Sequence, residues 1–248
     1  MHKTLSFLVL VLLAVQMDAR TARFIEVDKT WHVVYQYWAY PGFYEKDYGF
    51  TAESDVVING KHYMRLFEMG ADGMNHVVDV FREEDGKVYR YDAKRQEEQL
   101  CYDFTLRPMD VVTLSAAWSP YDYQCHVTDV EELTLADGSR ASKICFTATP
   151  LCEDDEQMED TENIWIEGIG NVCSPTCNID DKNADGTDSY VATVKRDGEV
   201  IYNHTQTNIM GVRESSRERR SYDIQGRRVD EARQHGLVIT AGRKVWRK

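Results

Sequence analysis

Three Asp-Gly pairs, Asp85-Gly86, Asp137-Gly138 and Asp197-Gly198, each stand between two runs rich in β-branched and aromatic residues. A two-residue hairpin turn needs positive φ angles, which Gly adopts freely and Asp tolerates, so Asp-Gly between such runs is a strong hairpin signal. The flanking runs are 77–82 with 87–91, 126–135 with 141–147, and 190–195 with 199–203. Between them, Leu100, Tyr102, Phe104 and Leu106 alternate with Cys101, Asp103 and Thr105. That is the period of a strand with one buried face. Asn59-Gly60 reads as a further turn, and Trp165 as a core anchor on a short strand. No long stretch has helical periodicity. The expectation is an all-β chain: an antiparallel meander closed as a β-sandwich or barrel, with both closures open.

The N-terminus reads as an export signal. Polar His2 and Lys3 precede an apolar run over residues 5–15, followed by Ala19 and Ala22. A bilayer span needs about 20 apolar residues, so this run fits a signal-peptide h-region instead. The predicted organisation is a signal peptide at 1–22, a secreted all-β domain at 23–208, a polar linker at 209–220 and a small hairpin-like tail at 221–248. No second apolar run is long enough to span a membrane, so no transmembrane segment is expected in the mature chain.

Charge is divided unevenly. Residues 213–248 hold 11 Lys and Arg against 5 Asp and Glu, and residues 1–212 hold 18 against 37. A body that acidic does not hold a nucleic-acid backbone by charge. The six cysteines, Cys101, Cys125, Cys145, Cys152, Cys173 and Cys177, are an even number in an exported chain and point to disulfides. Sequence does not choose among their 15 connectivities.

Two segments carry candidate ligand chemistry. Asp181-Lys-Asn-Ala-Asp-Gly-Thr-Asp188 places oxygen side chains at alternating positions around a Gly turn. Calcium takes six to eight oxygens from such a loop, so Asp181, Asn183, Asp185 and Asp188 are the candidate metal ligands, and Ca2+ is the one cofactor indicated. An EF-hand would need a Glu where Ala192 stands. Residues 31–50 hold nine of the 27 aromatic residues. Those up to Trp38 read as a packed strand. Tyr40, Phe43, Tyr44 and Tyr48 read as a Pro/Gly loop whose exposed rings contact a sugar or a protein partner. Catalysis has little support. No Ser has a G-x-S-x-G context, and no His belongs to an H-E-x-x-H pattern.

The tail, Ser221-Tyr-Asp-Ile-Gln-Gly-Arg-Arg-Val with His235-Gly-Leu-Val-Ile and Gly242-Arg-Lys-Val-Trp-Arg-Lys248, resembles the end of the C-terminal sorting domain of the type IX secretion system of Bacteroidota. Tyr222, Asp223, Gly226, Arg227, Gly236 and Gly242 carry the match, with Val238 where the pattern has Tyr. The body holds Val57-Ile-Asn-Gly-Lys-His-Tyr63, Arg82-Glu-Glu-Asp-Gly-Lys-Val-Tyr89, Leu100-Cys-Tyr-Asp-Phe-Thr-Leu106 and Ile164-Trp-Ile-Glu-Gly-Ile-Gly170, in that order. Together these resemble a widespread family of secreted proteins of Bacteroides and Prevotella type. The resemblance implies an all-β exported domain and brings no catalytic residues with it. The type IX machinery is then an expected partner. The expected destination is the cell surface or the medium, after passage through the periplasm. The leading functional expectation is a non-catalytic binding module for glycan or host protein. The alternatives are a secreted hydrolase of unknown substrate and a structural envelope protein.

Overall fold

The computed structural model describes residues 22–40, 42–69, 74–117, 119–152, 159–180 and 188–204. It also describes the strands between residues 221 and 247. The chain divides into two compact units, Met1–His204 and Thr205–Lys248. Residues 1–21 of the expected signal peptide and the whole expected linker lie outside the described residues, while Ala22, its expected last residue, is described and buried.

The first unit is all-β and holds two antiparallel sheets. Its strands are β1 Thr30–Ala39, β2 Gly42–Ile58, β3 Lys61–Met69, β4 Asn75–Glu84, β5 Lys87–Asp92 and β6 Glu97–Asp103. Then follow β7 Val111–Ser115, β8 Asp122–Thr134, β9 Arg140–Pro150, β10 Thr161–Ile166, β11 Gly170–Asn171, β12 Asp188–Arg196 and β13 Glu199–Asn203. The larger, curled sheet has the order β13-β12-β1-β2-β3-β4-β5-β6 and the smaller one β11-β10-β9-β8-β7. Each sheet is a meander of sequential neighbours except at one point. The β12–β13 hairpin returns to pair with β1, from Thr30↔Lys195 to Gln36↔Asp188. Local turn signals could not announce that long-range pairing.

The turns follow their sequences. Asn59-Gly60, Asp85-Gly86 and Asp197-Gly198 have positive φ at both positions, as the two-residue turn demands. Asp137-Gly138 differs, because only Gly138 is positive. There the Asp137 carboxylate accepts from Ser139 N (3.0 Å) and Ser139 Oγ (2.6 Å), closing a longer loop.

The core is a chain of aromatic rings between the sheets. Trp165 of β10 is fully buried, as expected. It meets Phe146 of β9 at 4.5 Å and Tyr102 of β6 at 5.2 Å. Phe24 then links Tyr102 (5.1 Å), Phe81 of β4 (5.3 Å) and Trp31 of β1 (5.8 Å). Edge-to-face and tilted contacts of this kind add to the area buried. The expected alternation of β6 holds only in part. Cys101 and Asp103 are buried along with Tyr102, because the register slips between Val88 and Tyr89 and the strand end is covered on both sides.

Residues 22–29 precede the first strand and seal this core. Glu83 Oε2 accepts from Phe24 N (3.0 Å), and Ala22 N donates to Arg140 O (3.1 Å). Gly170 makes room for Phe24. Its φ is +93°, and a Cβ there would lie 2.8 Å from Phe24 Cε2. Lys29 is fully buried, and its Nζ donates to the carbonyls of Arg23 and Gly168. Arg196, also buried, pairs with Glu26 (2.7 Å) and Asp137 (2.6 Å).

The second unit is a four-stranded sheet of order β15-β14-β16-β17. Its strands are β14 Ser221–Tyr222, β15 Arg228–Val229, β16 Gly236–Thr240 and β17 Arg243–Arg247. The tail is therefore more than one hairpin. No helix among the described residues is long and apolar enough to cross a membrane.

Candidate functional site

The β1–β2 hairpin outruns its neighbours. On one side, β12 pairs with β1 no further than Gln36↔Asp188. On the other, β3 pairs with β2 only from Phe50↔Glu68 onward. Yet β1 and β2 stay paired from Thr30↔Thr51 to Ala39↔Gly42. Among the described strands, residues 37–39 have only β2 as ladder partner and residues 42–49 only β1. They form a two-stranded ribbon. Its sequence suits this, because Tyr and Trp are strong strand formers and cross-strand aromatic pairs stabilise a ladder without a core beneath.

Directly opposed residues share a face, so the register sorts the ribbon into two stripes. One stripe continues the core outward. Trp31/Phe50 and Val33/Tyr48 give way to Tyr35/Lys46 and Tyr37/Tyr44. Along it, Tyr35 meets Tyr48 edge-on at 4.7 Å, Lys46 Nζ lies 4.4 Å from the Tyr48 ring centre, and Tyr37 stacks on Tyr44 at 5.8 Å. The other stripe carries His32/Gly49, Val34/Asp47, Gln36/Glu45 and Trp38/Phe43. There the Gln36 amide donates to Glu45 (2.7 Å), and His32 Nε2 lies 2.7 Å from Asp47 Oδ1.

The rings toward the tip lie open to solvent. Tyr40 is 89% exposed, Phe43 81% and Trp38 57%. Two sequence expectations change here. Phe43, Tyr44 and Tyr48 stand on a strand rather than in a loop, because the chain reverses within the short step from Ala39 to Gly42. Tyr48 packs against the core cluster. Trp38 and Tyr37, expected to pack, are exposed among the described residues, where no described strand covers that stretch of β1. The exposed rings are thus Trp38 and Phe43 on one face, Tyr40 at the tip, and Tyr37 with Tyr44 on the opposite face.

Of the calcium candidates, Asp181, Asn183 and Asp185 lie outside the described residues. Asp188 opens β12, exposed, and its Oδ1 accepts from Ser189 N at 2.9 Å. In the tail, Tyr222 lies in β14 and Gly236 opens β16. Asp223, Gly226, Arg227 and Gly242 lie outside the described residues. A cleft of about 480 Å³ is lined by Arg23, Glu26, His62, Arg82, Glu83 and Arg196. A larger one of about 730 Å³ is lined by Glu162, Asn163, Asn171, Cys173, Asp180 and Tyr190. Neither was legible as a group in the sequence, since each gathers residues from distant strands. The histidines are dispersed. His62 faces Asp55 (2.9 Å), His126 faces Gln124 (3.0 Å), and His204 lies over Tyr190 (4.9 Å).

Comparison with protein-family models, with curated proteins and with solved structures finds no match.

Proposed function

We propose that this is an exported, non-catalytic binding protein whose β1–β2 ribbon is the contact surface, and that its ligand is a glycan. The observation that carries this reading is the exposure of Trp38, Tyr40 and Phe43 at the end of a ribbon that no described neighbouring strand covers. Large rigid rings that cost little rotamer entropy to immobilise are the usual anchors of binding surfaces. A protein ligand would also engage such rings. The glycan is favoured because the Trp38/Phe43 stripe continues into Gln36 and Glu45. An apolar platform beside an amide and a carboxylate matches a sugar ring, which offers a C–H face and a rim of hydroxyls.

Delivery by the type IX route rests on the tail motif. Ca2+ binding at Asp181, Asn183, Asp185 and Asp188 rests on their spacing. Both belong to this proposal.

The test is a glycan array and a host-protein panel probed with the mature body and with Trp38→Ala and Phe43→Ala. Expected is glycan binding that both substitutions weaken at least tenfold, with thermal stability unchanged. Binding that survives both substitutions removes the ribbon from the reading. Binding to a protein alone replaces the glycan.

A further inference from the structure

Cys173-Ser-Pro-Thr-Cys177 follows β11 and folds back on itself. Cys177 N donates to Ser174 O at 3.3 Å, closing a β-turn with Pro175 at its second position, where the fixed φ of proline suits it. Asn171 Oδ1 accepts from Cys173 N (3.1 Å). The Tyr102 hydroxyl reaches Pro175 O (3.1 Å) and Cys177 O (3.3 Å), and Trp165 Nε1 donates to Asn178 O at 2.7 Å. The turn is therefore held from both sheets, by β6 and by β10. The neighbouring Cys177 side chain and burial together push the Cys173 thiol well up. Cys177 Sγ also lies 2.9 Å from Ile179 O. Both cysteines carry free thiols here, Cys173 buried and Cys177 half-buried.

We infer that Cys173 and Cys177 are a redox dithiol that closes to an intramolecular disulfide by exchange with an external disulfide. A disulfide needs Cα atoms within about 4.4–6.8 Å and side chains directed at each other. The turn closed by Cys177 N and Ser174 O sets the two cysteines on either side of one chain reversal, so closure spans a short loop and turns the Cys177 side chain from Ile179 O toward Cys173.

The accessibility of the two sulfurs sets the order of events. The Cys177 thiolate attacks one sulfur of the incoming disulfide RSSR. The S–S bond breaks, RS⁻ leaves with a proton, and Cys177 holds the mixed disulfide. Cys173 then loses its proton and attacks Cys177 Sγ, and the second RS⁻ leaves as RSH. Two protein thiols are oxidised and one RSSR is reduced to two RSH. Cys173 is the resolving partner because burial and the Cys177 contact hold it as a thiol. Cys101 is fully buried, and burial pushes its thiol well up. It stays a bystander.

The test uses the full chain with oxidised glutathione as RSSR, followed by alkylation and peptide mass mapping. Expected is one peptide spanning residues 173–177 that has lost two hydrogens and alkylates only after reduction. In Cys173→Ser, Cys177 should accumulate a glutathionyl adduct. In Cys177→Ser, Cys173 should stay unmodified. A Cys101–Cys177 link overturns the inference. So do two thiols at 173 and 177 that still alkylate after equilibration with the oxidant. The mapping on the unmutated chain decides this even if a variant fails to fold.

Discussion

Lys29 and Asp79 show what burial does to single charges. Desolvation lowers Lys29 from 10.5 to about 7. As a neutral amine it keeps two N–H donors, which matches the carbonyls of Arg23 and Gly168. Between pH 7 and 10.5 the unfolded chain binds this proton and the native state does not, so this group adds stability as pH rises through that window. Asp79, beside Arg90 at 3.8 Å, is raised by burial from 3.8 to about 7. Its native state binds the extra proton, so its contribution is full below pH 3.8 and is lost as pH rises to 7. Melts of Lys29→Met against the parent should show the parent gaining relative stability from pH 7 to 9. Melts of Asp79→Asn should show the parent losing relative stability from pH 4 to 7. Parallel curves for either pair would mean that the residue titrates alike in both states.

The β1–β2 ribbon is where strand-level reading succeeded and failed at once. Asp-Gly and Asn-Gly turns are local signals, so the hairpins they close were legible in the sequence, and β13 falls at the residues expected. The long β1–β2 pairing was not, because Tyr40-Pro-Gly looks like a loop until the register on both sides is known. Which rings are covered depends on where β12 and β3 stop pairing, a non-local fact. The aromatic cluster was thus visible as composition, while Trp38 and Tyr37 were misread as packed. The same register predicts the energetics. Phe43→Ala should change stability by no more than about 0.5 kcal/mol, the usual range for an exposed site. Trp165→Ala, which opens the centre of the aromatic chain, should cost about 3–5 kcal/mol. Chemical denaturation of the two variants checks this, and a large loss for Phe43→Ala would place that ring in the core.

At the scale of the whole molecule, the core is complete within the first unit. Among the residues whose burial is described, the core runs from Ala22 to Tyr202, inside the unit that ends at His204. A unit that carries its own core is expected to fold without the tail. The tail's charge balance is opposite to that of the acidic body, and its strands β16 and β17 fall on the Gly236–Thr240 and basic Arg243–Arg247 segments, on which the proposed address role rests. Removing residues 221–248 should leave the melting temperature of the body within about 2 °C, since surface changes away from a core are worth about 0.5 kcal/mol or less. In a cell with the type IX route, the same deletion should trap the protein in the periplasm. The two readouts separate two failures. A truncated body that melts normally yet still reaches the surface removes the sorting role and leaves the fold argument standing. A truncated body that unfolds shows the tail to be structural, and its retention in the periplasm would then say nothing about address.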